Sequence, residues 1–240
     1  MVTGVVYSTF CLMAKLFTSL GLGAIVSLAE YFFVLAGGLV LHAAVTYSAM
    51  LKVFSGLSPF VFLRKMEDAI MFAFSTASSN ATIPVSMETT TRRMGADNKI
   101  ASFTIPLGAT INMDGTAMMQ GVATIFIAQA FNVDLTMMDY LTVILTATLA
   151  SIGTAGVPGV GLVMLAMVLK QVGLPLEGIA LIMGVDRLLD MIRTAVNITG
   201  DCAVTCIVAK SEGALDENRF YDMHAADEDE KIIFKPSAQR

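Results

Sequence analysis

Long apolar stretches with few charges dominate the first 210 residues of this chain. Four of them, near 2–28, 28–53, 100–132 and 176–210, reach the roughly 20 residues that a helix needs to cross a bilayer. Only 15% of all residues are charged and 55% are hydrophobic, whereas soluble domains carry about 25% charged residues. The pattern therefore predicts an all-α polytopic membrane protein.

The uncharged run 140–169 does not fit a single span. One helix of this length would be about 45 Å long, while the hydrocarbon core is about 30 Å thick. Its middle holds Gly153, Gly156, Pro158 and Gly159, which disfavour a continuous helix. We expect two half-helices joined by an irregular tip, which is tolerated at membrane depth only inside protein or beside a wet cavity.

A second short segment, 75–84, is rich in hydroxyl groups and ends in proline. Basic residues flank it on both sides: Arg64 with Lys65, and Arg92 with Arg93. The positive-inside bias places both flanks in the cytoplasm, while the acid-richer loops around 140–169 suit the opposite face. Two hairpins that enter from opposite faces, each followed by a polar helix, are typical of inverted repeats in secondary transporters. Ordinary kinked spans would explain the composition but not the flanking charges.

Six polar side chains form one stripe on the last apolar helix. At about 100° per residue they fall within an arc of about 100°, and they are Asp186, Asp190, Arg193, Thr194, Asn197 and Asp201. Charges inside a membrane are costly and usually mark substrate sites, ion paths or proton relays. The Arg193 guanidinium suits a carboxylate and Asp190 suits an ammonium group, so an acidic amino acid would match. The alternative is that Arg193 only pairs with Asp190 or Asp186.

The earlier polar helix contains Asn112 and Asp114 between Gly108 and Gly115. These residues would unwind a helix locally and free backbone carbonyls, which together with carboxylates bind hard cations. Helix packing is the alternative role for them. Cys11, Cys202 and Cys206 lack metal-ligand spacing, and we expect His42, alone in apolar sequence, to be structural.

The net charge of −5 is concentrated in residues 211–240, for which we predict an acidic, disordered tail. The start of the chain lacks the basic region of a signal peptide and opens directly in apolar sequence. We therefore expect the chain to begin inside a helix and to be a fragment of something longer.

Four motifs carry a family resemblance: SSNATIPV at 78–85, PLGATINMDGT at 106–116, ASIGTAGVPG at 150–159 and DRLLDMIRTAVNITGD at 186–201. Together they closely resemble the dicarboxylate/amino acid:cation symporter family, the glutamate transporters and their prokaryotic relatives, over about 1–212.

The resemblance implies a glutamate-transporter-like transport core at 55–210, with re-entrant hairpins at 59–93 and 141–172. It makes 98–132 and 175–210 the last two transmembrane helices, and it gives 1–54 two further helices with the N-terminal ones missing. It also implies a homotrimer in the cell membrane with a cytoplasmic C-terminus, and no cofactor other than sodium as the coupling ion.

The same resemblance assigns site residues. Substrate contacts would come from Ser79, Thr116, Val157, Gly161, Asp190, Arg193, Thr194 and Asn197. One sodium would bind the carbonyls of Gly108, Asn112 and Asn197 and the carboxylate of Asp201. A second would bind the carbonyls of Thr110, Ser151, Ile152 and Thr154. Asp114 and Asn112 would contribute to a third.

The predicted function is a symporter that takes up glutamate or aspartate with sodium, protons being an alternative coupling ion. Two positions depart from many acidic-amino-acid members, since Ala77 and Met191 stand where an extra arginine often occurs. The alternatives are a truncated, non-transporting fragment and a C4-dicarboxylate carrier of the same family. An intramembrane aspartyl protease using two of Asp114, Asp190 and Asp201 is more remote, and no enzyme activity is expected.

Overall fold

The structure is a computed structural model that describes residues 23–225. This part is helical throughout, with one isolated bridge between Ala96 and Leu215. Its α-helices are α1 (Gly23–Leu41), α2 (Ser48–Ser55), α3 (Pro59–Lys65), α4 (Glu67–Thr76), α5 (Ser79–Glu88), α6 (Asn98–Ile111), α7 (Asp114–Ala130), α8 (Met137–Ser151), α9 (Val160–Gln171), α10 (Ile179–Ser211) and α11 (Glu217–Tyr221). π-helical turns cover His42–Tyr47 and Thr89–Arg93, and a 3-10 turn covers Leu176–Gly178. The all-helical fold class is thereby confirmed.

The first helix runs through α1, the π-helical turn and α2 without a break. Within residues 23–225, Val26–Ser55 is the one helix whose length and hydropathy alone suffice to cross a bilayer. The sequence pattern put a boundary between two spans near residue 28, beside Glu30. The structure continues the helix through this point because glutamate is a good helix former and a single charge does not end a helix. The span expected before it lies mainly outside the described residues.

Two helix-turn-helix units contact each other through the loops that join their helices, which we call the tips. The first joins α4 to α5 through Ala77 and Ser78, where the Ser78 side chain caps α5 by accepting a hydrogen bond from the Ala81 N–H. The second joins α8 to α9 through residues 152–159. Positive φ angles of 81° at Gly153 and 80° at Gly159 make glycine favourable at both ends of this tip. Whether these units re-enter the membrane, as 59–93 and 141–172 are expected to, stays a prediction.

The two polar helices differ in continuity. The first is interrupted between α6 and α7, where Asn112 and Met113 leave helical backbone angles. The second, α10, is one helix of 33 residues, and it packs against α1, α2, α4, α6 and α7. Apolar clusters lie along both halves of α10, one around Leu35, Met119 and Ile182, the other around Phe62, Cys202 and Phe220.

Residues 211–225, assigned above to a disordered tail, are folded and include α11, which packs against α3. Phe220 is fully buried, and the Lys65 ammonium donates to the carbonyls of Arg93, Arg219 and Asp222 at 2.5–2.7 Å. The acidic composition of this segment suggested disorder, but Phe220 packs into the core and two backbone carbonyls of the segment accept hydrogen bonds from the buried lysine. Residues 226–240 lie outside the described part.

Candidate functional site

The predicted polar stripe of α10 is buried along its whole length. The six residues, from Asp186 to Asp201, each expose 9% or less of their surface. Among residues 23–225, Arg193 is the largest fully buried residue, and it exposes 1% of its surface. The stripe faces α6, α7 and the two tips, which makes this face the polar interior of the molecule.

Arg193 is held between two carboxylates of its own helix. Its guanidinium lies 3.0 Å from Asp186 Oδ1 and 2.7 Å from Asp190 Oδ1. The second oxygen of Asp190 accepts a hydrogen bond from the Gly159 N–H at 3.1 Å, which connects α10 to the second tip. Both carboxylates that the sequence offered as partners for Arg193 therefore pair with it.

A small cavity of about 20 Å³ lies beside this ion pair. All eight residues predicted to contact substrate line it: Ser79, Thr116, Val157, Gly161, Asp190, Arg193, Thr194 and Asn197. The structure therefore brings together residues from both tips, α7, α9 and α10, and their role as substrate contacts stays a prediction. Met113 also lines the cavity and was missed, although the break at 112–113 could have indicated it.

The two tips touch at Gly156. Its carbonyl accepts hydrogen bonds from Ser78 Oγ at 2.8 Å and from the Asn80 N–H at 3.0 Å. A Cβ at this glycine would lie 2.9 Å from Asn80 Oδ1 and from Ser79 Cβ. Only a residue without a side chain permits this approach.

Three of the four residues predicted for the first sodium are linked by hydrogen bonds around the α6–α7 break. Asn112 Nδ2 donates to Asp201 Oδ1 at 2.9 Å and approaches the Asn197 carbonyl at 3.4 Å. The fourth, Gly108, faces Asp201 so closely that an added Cβ would lie 2.5 Å from Oδ1. A carboxylate beside carbonyls, in a space that a methyl group would fill, suits a small hard cation.

The residues predicted for the second sodium come from α6 and the second tip. The Thr110 carbonyl accepts a hydrogen bond from the Gly153 N–H at 2.8 Å, so this carbonyl lies against the segment that contains Ser151, Ile152 and Thr154. Ser151 and Thr154 are buried, whereas Ile152 is 50% exposed. The four residues are thus neighbours, as the assignment requires.

The contacts of Asp114, predicted for a third sodium, contain an unexpected residue. Its Oδ2 lies 3.0 Å from His42 Nε2 and accepts a hydrogen bond from the Tyr47 hydroxyl at 3.0 Å. The sequence analysis expected His42 to be structural and did not predict this contact, which arises because α1 packs against α7 and brings together residues 72 positions apart. Within the described residues, no three His, Cys, Asp or Glu side chains form a metal-binding group.

A long apolar helix, two tips in contact and buried charges between them define a helical membrane protein with an enclosed polar site. The chain belongs to the sodium:dicarboxylate symporter family, whose model matches residues 2–211. This confirms the resemblance drawn from the four motifs. Membership places the protein in a membrane, and the family it joins is one of sodium-coupled transporters and not of enzymes.

Curated relatives agree with this assignment. An excitatory amino acid transporter of Caenorhabditis elegans is 45% identical over 181 residues, which cover 75% of this chain and 36% of that protein. A proton/sodium-glutamate symport protein of Bacillus subtilis (strain 168) is 38% identical over 207 residues, 86% of this chain and 48% of that protein. Excitatory amino acid transporter 1 of Rattus norvegicus is 39% identical over 209 residues, with shares of 87% and 38%. The chain thus spans 36–48% of the length of these relatives.

Proposed function

We propose that this chain carries the substrate and sodium sites of a symporter that couples inward sodium movement to uptake of glutamate or aspartate. The observation that supports this most directly is the cavity beside Arg193. A buried guanidinium, a carboxylate and an amide stand together there between two tips. An acidic amino acid carries two carboxylates and one ammonium group, so its charges complement this set.

Substrate recognition in this proposal is an exchange of ion pairs. Arg193 turns from Asp190 to the side-chain carboxylate of the substrate, since its planar group binds a carboxylate through two parallel hydrogen bonds. Asp190 then accepts the substrate ammonium group. Asn197 and the tip around Ser79 bind the α-carboxylate. Every buried charge keeps a partner during the exchange, which a site of this burial requires.

Coupling to sodium follows from residues that serve two sites. The Asn197 side chain accepts a hydrogen bond from the Gly115 N–H at 2.9 Å, while its carbonyl lies beside Asn112. Sodium bound by Asp201 and these carbonyls would fix the part of α10 that presents Asn197 to the substrate. A sodium between Thr110 and the 151–154 segment would hold the second tip closed. Asp114 and Asn112 would bind the third.

The family resemblance supplies the wider proposal. Residues 55–210 would move as a bundle in an elevator-like manner within a homotrimer of the cell membrane, with the C-terminus in the cytoplasm. Protons are the alternative coupling ion.

The test is sodium-dependent binding of radiolabelled L-aspartate and L-glutamate by the purified chain in nanodiscs, followed by uptake into proteoliposomes. We expect Asp201→Asn to weaken the dependence on sodium and Arg193→Cys to abolish acidic amino acid binding. If Arg193→Cys also gains binding of neutral amino acids, its role as anchor for the side-chain carboxylate is supported. Unchanged binding in both variants would refute the site.

The same assay separates the alternatives. Competition by succinate as strong as that by aspartate would indicate a C4-dicarboxylate carrier, which the proposal disfavours because Asp190 would repel a ligand without an ammonium group. Binding without uptake would identify a non-transporting fragment.

A further inference from the structure

The π-helical turn His42–Tyr47 places two polar rings on one side of the long, mainly apolar first helix. On an α-helix, side chains five residues apart point about 140° away from each other. Here the wider turn brings the rings of His42 and Tyr47 to 4.9 Å between centroids, in an edge-on arrangement. π-helical turns are rare and occur frequently at functional sites.

Both rings reach the same carboxylate oxygen. His42 Nε2 and the Tyr47 hydroxyl each lie 3.0 Å from Asp114 Oδ2. Asp114 is the first residue of α7, directly after the α6–α7 break. Among residues 23–225, no group donates a hydrogen bond to its other oxygen, Oδ1. The two donors therefore hold one oxygen of Asp114 and leave the second available.

Tyr47 also adjoins the region of the first predicted sodium site. Tyr47 is 3% exposed, and its hydroxyl lies against α10 at Gly200. A Cβ added at Gly200 would lie 2.7 Å from this hydroxyl and 2.5 Å from Asn112 Nδ2. A buried hydroxyl needs a partner, and Tyr47 finds it in Asp114. Tyr31, on the same helix, is buried without a hydrogen-bond partner for its hydroxyl.

We propose that His42 and Tyr47 are positioning residues for a sodium site at Asp114, holding Oδ2 so that Oδ1 faces the ion. The proposal rests on the proposed function, which assigns Asp114 and Asn112 to the third sodium. Carboxylates that bind metal ions are commonly oriented by hydrogen bonds from neighbouring residues, and loss of these neighbours weakens binding. The substrate is not involved in this step, so sodium alone can probe it.

The experiment measures equilibrium binding of ²²Na⁺ by the purified full chain in nanodiscs without amino acid. Hydrogen bonds to charged groups are strong enough that losing one should weaken the Asp114 site about tenfold. We expect that in Tyr47→Phe and in His42→Leu one component of the sodium-binding isotherm has a dissociation constant about tenfold higher than in the parent. His42→Gln keeps an N–H donor and should recover much of the loss. Tyr31→Phe is the matched control and should bind like the parent.

Each outcome decides a separate point. Variants that bind sodium like the parent, or more tightly, would overturn the positioning role while leaving the proposed function intact. A second outcome is that His42→Gln fails to restore sodium binding and that all His42 variants have a lower melting temperature. This would assign the histidine to packing alone and overturn the proposal. If Asp114→Asn binds sodium like the parent, the third site itself is refuted, and with it this inference. A parent chain that binds no sodium would refute both.

Discussion

Contact between the two tips should be necessary for substrate binding, and Gly156→Ala tests it with a single methyl group. The added Cβ would lie 2.9 Å from Asn80 Oδ1, 2.9 Å from Ser79 Cβ and 3.1 Å from the Ala109 carbonyl oxygen. The first two separations are closer than real Cβ atoms approach other heavy atoms. The Asn80 side chain is exposed and can rotate away, but Ser79 Cβ and the Ala109 carbonyl are fixed to the backbone. Relief of the strain therefore requires the second tip to shift away from Ser79 and α6.

The size of the effect follows from the cost of overpacking. Inserting a methyl group into a close contact costs about 1–3 kcal/mol, which corresponds to about 5- to 150-fold in an equilibrium constant. The added methyl group raises the free energy of the state in which the tips are in contact and enclose the cavity. If that state is the one that binds substrate, the apparent affinity falls by the same factor. Ser78→Ala removes the hydroxyl that donates to the Gly156 carbonyl and also caps α5. Loss of the contact with Gly156 alone is expected to weaken binding about fivefold.

Radiolabelled L-aspartate binding in saturating sodium is the assay, with the melting temperature measured in parallel. Gly121→Ala is the matched control, because a Cβ at Gly121 meets no atom within 4 Å. It should leave binding unchanged and keep or slightly raise the melting temperature, since alanine favours helix. Parent-like aspartate affinity in Gly156→Ala would show that the binding state does not require the tips to touch, and the reasoning would be wrong.

Two further substitutions probe the predicted first sodium site and the folded C-terminal segment. Gly108→Ala should lower ²²Na⁺ affinity at least about tenfold, because the new methyl group displaces the Asp201 carboxylate from a position 2.5 Å away; unchanged sodium binding would exclude Gly108 from the site. Lys65→Met leaves three carbonyl acceptors without their charged donor, a loss of about 3 kcal/mol that should lower the melting temperature by about 6–12 °C. Burial lowers the pKa of Lys65 from 10.5, against the attraction of Asp222. Between the lowered pKa of the folded protein and 10.5, the unfolded chain therefore binds more protons at Lys65 than the folded chain does. The free energy of unfolding of the parent should rise with pH in this range, and Lys65→Met should lose this rise.

The sequence indicated which polar residues lie together more completely than it indicated the details of the fold around them. The stripe on α10 could be read from helical periodicity alone, since that helix is continuous. The contact of His42 with Asp114 could not be read in the same way. It depends on the packing of two helices far apart in sequence, and on a π-helical turn that changes which residues share a face. The folded segment 211–225 was missed because composition does not reveal that a buried lysine binds backbone carbonyls.

The two polar helices divide the chemistry of the site between side chains and backbone. Residues Asp186 to Asp201 need to lie on one buried face, and only an unbroken α10 keeps them aligned over four turns. Free carbonyls, in contrast, require a helix whose own hydrogen bonds are interrupted, and the backbone leaves helical angles at Asn112 and Met113, next to Asn197 and Asp201. Asn112 connects the two, because its side chain donates to α10 from the point where the other helix opens. A substitution that restored helix at the break should therefore weaken the proposed sodium binding without changing a single charged residue, so the backbone at 112–113 carries part of the proposed coupling.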